Sequence, residues 1–156
     1  MRHIVAACGL LFAIGLVSWW FAASPARRRA PSVPARLPRA WMTPRTGTTA
    51  WIFMNPTCRH CVAHQRALAR CLAELPAPER RRVAQRLRVV GAPAGWSAGV
   101  EARPAAWRDS LAVRFVPTTL WVEDDGNVCD AWLGARSAGA WQQAMQRHFG
   151  RREGGR

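Results

Sequence analysis

Three observations predict an α/β domain preceded by one hydrophobic N-terminal helix. Apolar runs of strand length alternate with stretches whose apolar residues recur at helical spacing. Two cysteines three positions apart, Cys58 and Cys61, follow directly on one of those runs. Residues 4–23 are about twenty apolar residues without a charge, the length a helix needs to cross a bilayer. The chain of 156 residues, 49% of them hydrophobic, is long enough for one domain with an ordinary core, and too apolar for a disordered chain.

Residues 1–23 are read as a signal anchor or signal peptide. Trp19 and Trp20 suit an interfacial belt, and Pro25 directly after the Ala22-Ala23-Ser24 cleavage candidate favours retention as an anchor. Cys8, inside this run, is read as a small membrane-buried residue. Residues 24–45 carry Pro25, Pro31, Pro34, Pro38 and Pro44 among arginines, which predicts an extended tether with no packed structure. Two signals conflict over the side of the membrane. Arg27, Arg28, Arg29, Arg36 and Arg39 after the segment outnumber Arg2 and His3 before it, which favours a cytoplasmic domain. Disulfide chemistry favours an oxidising compartment, and the periplasmic face of the inner membrane is the expectation adopted.

The globular part is expected over residues 46–150. Thr48 to Met54 is a buried-strand run, and Asn55-Pro56-Thr57 is a turn with polar capping groups before a helix. On that helix Cys61, Leu68, Cys71, Leu72 and Leu75 form an apolar stripe, and His64 is expected on its surface. Pro76-Ala-Pro78 ends it, and a second helix runs to about Gln85. Leu87 to Val90 is a short strand, residues 92–104 an irregular loop, and Ala105 to Val113 a short helix. Pro117 opens a strand that ends at Val122, where a proline is tolerated. Asp124-Asp-Gly126-Asn127 is a hairpin signal, followed by a strand from Val128 to Leu133. Ser137 caps a terminal helix with Trp141, Met145 and Phe149 on one face and Gly150 as its stop. Residues 151–156 read as a disordered basic tail.

Chemistry concentrates at Cys58-Arg59-His60-Cys61. At i and i+3 of a first helical turn the two thiols share a face, so a disulfide can form and break with little backbone movement. The helix N-terminus offers unpaired N–H groups and a positive dipole end that favour the Cys58 thiolate, the reactive species.

The element order and these residues together resemble the thioredoxin fold. The match rests on Trp51-Ile-Phe-Met-Asn-Pro-Thr-Cys58-Arg-His-Cys61, on Leu111-Ala-Val-Arg-Phe-Val-Pro117-Thr, on the Asp-Gly turn and on Trp132-Leu-Gly134. The resemblance implies a central mixed β-sheet flanked by helices, and a cis Val116–Pro117 bond packed against the cysteine pair. It implies catalysis by Cys58 and Cys61 with His60 in support, tuning by Arg59, and substrate binding by Val116, Pro117 and Thr118. It also implies protein dithiol or disulfide substrates, a redox partner protein, and no cofactor or metal. The chain departs from cytosolic thioredoxins, with Ile52 at the place of a buried carboxylate and Arg59-His60 in place of Gly-Pro. The histidine is similar to that of DsbA-type oxidases and protein disulfide isomerases, while the compact size and anchor are similar to TlpA/ResA-type proteins. The redox direction therefore stays open.

Five cysteines at uneven spacing exclude a small disulfide scaffold and a four-thiolate zinc site. Cys71 and Cys129 are expected to be buried and inert, with a bridge between them as the alternative. The formal net charge of +14 comes from arginine alone among 23 basic residues, a pattern read first as coding bias in a GC-rich genome. If it carries an electrostatic role, anionic lipid is a better partner than nucleic acid, for which no motif is present. The competing functions are a copper or zinc chaperone using Cys58, Cys61, His60 and His64, and a thioredoxin-fold binding module without turnover. Trp51, Trp121, Trp132 and Trp141 are expected in the core, and Trp96 and Trp107 are candidates for a partner groove.

Overall fold

The computed structural model describes residues 33–42, 47–92, 96, 100–111 and 113–150. The expected membrane helix over residues 4–23 and the basic tail over 151–156 lie outside the described residues. Among the described residues no helix is long and apolar enough to cross a membrane.

The elements in chain order are β1 (Thr49–Phe53), α1 (Arg59–Glu74), α2 (Ala77–Ala84), β2 (Leu87–Val90), β3 (Glu101–Arg103), α3 (Ala106–Ser110), β4 (Thr118–Val122), β5 (Val128–Leu133) and α4 (Ala138–Phe149). They form one five-stranded sheet in the order β3-β2-β1-β4-β5. β2 runs parallel to β1 and to β3, whereas β4 is antiparallel to β1 and to β5. The sheet is therefore mixed, with β1 at its centre.

β1 has no polar face because both of its sides are covered, the situation that turns an alternating pattern into a continuous apolar run. Ala50, Ile52 and Met54 pack with α1 residues Cys61, Leu68 and Cys71 and with Trp141 and Met145 of α4. Trp51 and Phe53 face the other way, toward Leu37, Val90, Val113, Leu120 and Val122. α1 ends where Pro76 stands, and Pro76 caps α2. Ser137 caps α4 by accepting the Ala140 N–H.

Two expectations are corrected here. Part of the expected tether is packed: a 3-10 turn spans Arg39–Trp41, and Leu37 is 1% exposed. Its N–H donates to Gly126 O, Val128 N–H donates to Ala35 O, and Arg36 bridges Asn127 in antiparallel fashion. Proline and arginine dominate this stretch, yet the few apolar side chains among them suffice; burying one leucine contributes roughly 1.5–3 kcal/mol. Trp41 then stacks on Trp107 with ring centroids 4.1 Å apart. The expected irregular loop holds β3, which is three residues long and alternates too briefly for a periodicity argument. Its Glu101 pairs with the buried Arg88 at 2.7 Å and also with Arg103.

Candidate active site

The turn before α1 is built from its own polar groups. Asn55 O accepts the Cys58 N–H at 3.1 Å, and Asn55 Oδ1 accepts both the backbone N–H and the hydroxyl of Thr57, an Asx turn. Cys58 is the N-cap residue of α1, with φ −88° and ψ 116° and no side-chain cap bond. Its carbonyl accepts the N–H groups of Cys61 and Val62.

The two thiols sit in different surroundings. Cys58 is half-buried, whereas Cys61 is fully buried beneath it. Burial alone raises the Cys58 pKa. The Cys61 backbone N–H, the Cys61 thiol, the His60 backbone N–H and the Arg59 charge together outweigh it and hold Cys58 below the ordinary thiol value. Burial pushes Cys61 up to about 11, against the pull of the Asn55 N–H, which donates to its Sγ at 3.3 Å. One thiol is thus poised to ionise and the other is held protonated. Both are unbridged in the structure.

The segment facing the thiols leads into β4, the strand next to β1. Phe53 pairs with Thr118, which brings the Arg114–Pro117 segment beside the start of α1, and Cys58 Sγ lies 3.8 Å from Val116 O. The Val116–Pro117 peptide bond is cis. Pro117 O accepts the Gly134 N–H at 2.8 Å, and the Thr118 hydroxyl donates to Phe115 O at 2.7 Å with its side chain buried. Of the three residues expected to bind substrate, Val116 is the half-buried one beside Cys58, while Pro117 and Thr118 are enclosed and their polar groups committed.

The fold is thioredoxin-like. The parallel β1–β2 pair, the antiparallel β4–β5 hairpin, the cysteine pair opening α1 and the proline-led β4 facing it together decide this. No protein-family model matches the chain, and no curated protein matches it by sequence. Solved structures with a similar fold include StoA of Bacillus subtilis, at 13% identity over 72% of this chain and 98% of that one, TM-score 0.47. Thioredoxin 2 of Pseudomonas aeruginosa is 21% identical over 76% and 95%, TM-score 0.43. The exposed lipoprotein thioredoxin of Streptococcus pneumoniae is 14% identical over 67% and 87%, TM-score 0.45.

Several residues of the thioredoxin-like domain lie elsewhere than expected. His64 is 1% exposed, not on the helix surface. Its Nδ1 accepts the Arg136 N–H at 3.1 Å, which leaves the ring proton on Nε2, 3.1 Å from the Thr119 hydroxyl. Burial, then the Arg136 charge, lowers its pKa to about 4. With both nitrogens engaged on the sheet side of α1, His64 is not presented beside Cys58 as a metal ligand. His60 and Arg59 are exposed at the lip, and His60 acts on Cys58 through its backbone N–H.

Cys71 is buried against Met145 Sδ, but Cys129 is exposed on β5, an edge strand that packs on one side only. Both are free, so no bridge joins them. Trp107 stacks on Trp41, and Trp96 packs partly against the core. Trp132 is half-buried at the edge of that core. Two apolar residues near the site escaped sequence reading: Phe115, 58% exposed, and Leu133, 37% exposed and paired with Thr118. A bulky aromatic two residues before Pro117 was the available signal for the first.

Proposed function

We propose that the chain exchanges disulfides with protein substrates through Cys58 and Cys61 in the bacterial cell envelope. The observation that carries this reading is the asymmetric pair itself: a half-buried thiol held below its ordinary pKa beside Val116 O, over a buried partner at about 11. In the oxidising-of-the-pair direction, the Cys58 thiolate attacks one sulfur of a substrate disulfide. That S–S bond breaks and the other substrate sulfur leaves as a thiolate, which takes up a proton. Cys61 then loses its proton and attacks Cys58 Sγ, closing the Cys58–Cys61 disulfide and releasing the second substrate thiol. The substrate gains two electrons from the pair and takes up two protons, one matching the proton lost by Cys61 and one from water, since Cys58 enters as the thiolate. Run backward, the same steps oxidise a substrate dithiol, and the potential of the pair against its surroundings sets the direction.

In this proposal residues 4–23 anchor the domain to the inner membrane and the domain works on the periplasmic side, where disulfides persist. Arg27, Arg28 and Arg29 then lie against anionic headgroups, a contact worth about 1 kcal/mol per residue near such a surface, while Arg36 is engaged with Asp125 O of the hairpin. Val116, with the exposed Phe115 and Leu133 around it, is the substrate-facing rim.

Equilibration in glutathione redox buffers tests the reading. A two-electron couple between Cys58 and Cys61 is expected, near about −270 mV for a reductant or about −120 mV for an oxidant. A Cys61→Ser variant is expected to accumulate mixed disulfides with substrate proteins. A pair that neither cycles nor traps a protein would overturn the proposal. A periplasm-dependent reporter fused after Phe149 tests the location, and activity of a cytoplasmic reporter in its place would reverse it.

A further inference from the structure

We propose that the peptide unit joining Met54 and Asn55 carries the charge of Arg108 to the sulfur of Cys61, which makes Arg108 a positioning residue for the resolving step. The inference rests on the exchange reading above and assigns a role to a residue outside the cysteine motif.

The contacts form a chain through one amide. Arg108 Nη1 donates to Met54 O at 3.4 Å. The N–H of that same amide, belonging to Asn55, donates to Cys61 Sγ at 3.3 Å. An amide whose carbonyl accepts from a cation is polarised, and its N–H becomes a better donor to an anion at the other end, the cooperative strengthening expected of linked hydrogen bonds. Arg108 is held in place by Asp109 Oδ1, which accepts from Nε and pairs with Nη2, both at 3.0 Å. The Asp109 side chain is 66% exposed and that of Arg108 21%, so water screens the carboxylate more than the guanidinium.

The backbone leaves room for this approach at one glycine. A Cβ on Gly91, whose φ is +71°, would stand 2.6 Å from Met54 O. Any side chain there would press on the carbonyl that Arg108 uses.

The resolving thiol needs such help. From its own helix Cys61 faces Cys58, and from α3 it feels Arg108; Ile52 of β1 and Met54 just after it are the apolar members of the same cluster. The groups that act on its ionisation are burial, the Asn55 N–H, Cys58 and Arg108, with no carboxylate among them in the described residues. Burial, the largest cause holding the Cys61 thiol up, acts in the mixed disulfide as in the reduced pair, and each unit of pKa changes the thiolate fraction about tenfold. In the step itself Cys61 gives its proton to water and its thiolate attacks Cys58 Sγ. The bond from Cys58 to the substrate sulfur breaks, and that sulfur leaves with the electron pair. Arg108 transfers no proton; its charge acts while the Cys61 anion exists.

Stopped-flow reaction of the reduced full chain with 5,5′-dithiobis(2-nitrobenzoate), in a Cys8→Ser, Cys129→Ser background, separates two releases of thionitrobenzoate. The first reports attack by Cys58 and the second reports resolution by Cys61. Arg108→Gln is expected to slow the second release by about threefold to tenfold and to move its pH profile upward by about half to one unit. The first release should stay within about twofold. Arg108→Lys, which keeps the charge, should recover part of the loss. An unchanged second release, or equal slowing of both releases with no movement of the pH profile, would overturn the proposal. The releases need only the thiols and the reagent, so the result is independent of whether a protein disulfide is the natural substrate.

Discussion

Acid should weaken this fold through His64. The ring is neutral in the folded chain because Nδ1 accepts the Arg136 N–H and Nε2 meets Thr119 inside the core. Its pKa falls from the ordinary 6.5 to about 4. Above 6.5 both the folded and unfolded chains carry a neutral ring, and the full contribution is present. As pH falls from 6.5 toward 4 the unfolded chain takes up a proton that the folded chain refuses, so stability declines across that window and levels off below it. At about 1.36 kcal/mol per unit the loss amounts to about 3 kcal/mol, a large share of a small domain's total. Carboxylates titrate in the same range, so the comparison is with His64→Leu. That variant should be weaker at pH 7, by about 1–3 kcal/mol for the unpaired Arg136 N–H, but should show a shallower fall with acid. Urea unfolding at a series of pH values between 7 and 4 gives both curves. Parallel curves for the two chains would refute the account of His64.

Three further outcomes are expected. In the folded reduced protein, iodoacetamide should label Cys58 first, Cys129 more slowly because its sulfur, tucked against Trp121 O, is partly desolvated and lies near Glu123, which together raise its pKa, and Cys61 and Cys71 last; peptide mass spectrometry of timed samples reads the order. His60→Ala keeps the backbone N–H that acts on Cys58, whereas His60→Pro removes it. Thiolate absorbance in a Cys61→Ser background should therefore show a higher Cys58 pKa for the proline variant and little change for the alanine variant. Leu37→Ala should cost about 2–4 kcal/mol in denaturant unfolding, as for a buried core leucine, and a change within about 0.5 kcal/mol would mean that this segment is not part of the fold.

Much of the architecture was legible because its signals are local. The run from Thr48 to Met54, the prolines after α1, the Asp-Gly turn and the Ser137 cap each act within a few residues, and each appears where its local chemistry dictates. The thiol pair was legible for the same reason. What escaped depends on partners distant in sequence. His64 reads as a surface residue by its polar side chain, although Cys61 and Leu68, three before and four after it, lie on the buried stripe; what lets the ring sit there is its pairing with Thr119 and Arg136, more than fifty residues away. Leu37 and Trp41 sit among prolines and arginines that read as a tether, and their packing depends on the hairpin and on Trp107. Cys129 lies in an apolar run that reads as core, and its exposure follows from β5 being at the edge of the sheet. Arg108 carries no motif, and its reach to Met54 O exists only once β1 and α3 are brought together.

The edges of the sheet restrict how another chain can approach. A flat edge strand with free backbone groups invites a further strand, the route to strand-swapped dimers and fibrils. Here β3 offers three residues, and Glu101 on it is tied to the buried Arg88 and to Arg103. At the other edge the ladder between β4 and β5 shifts register at Trp121/Val122, and Asp130 is engaged by His148 of α4. Lengthening the sheet on the β3 side would mean disturbing the counter-ion of a buried arginine, and on the β5 side following a ladder that is already irregular. Strand addition at either edge is thereby disfavoured.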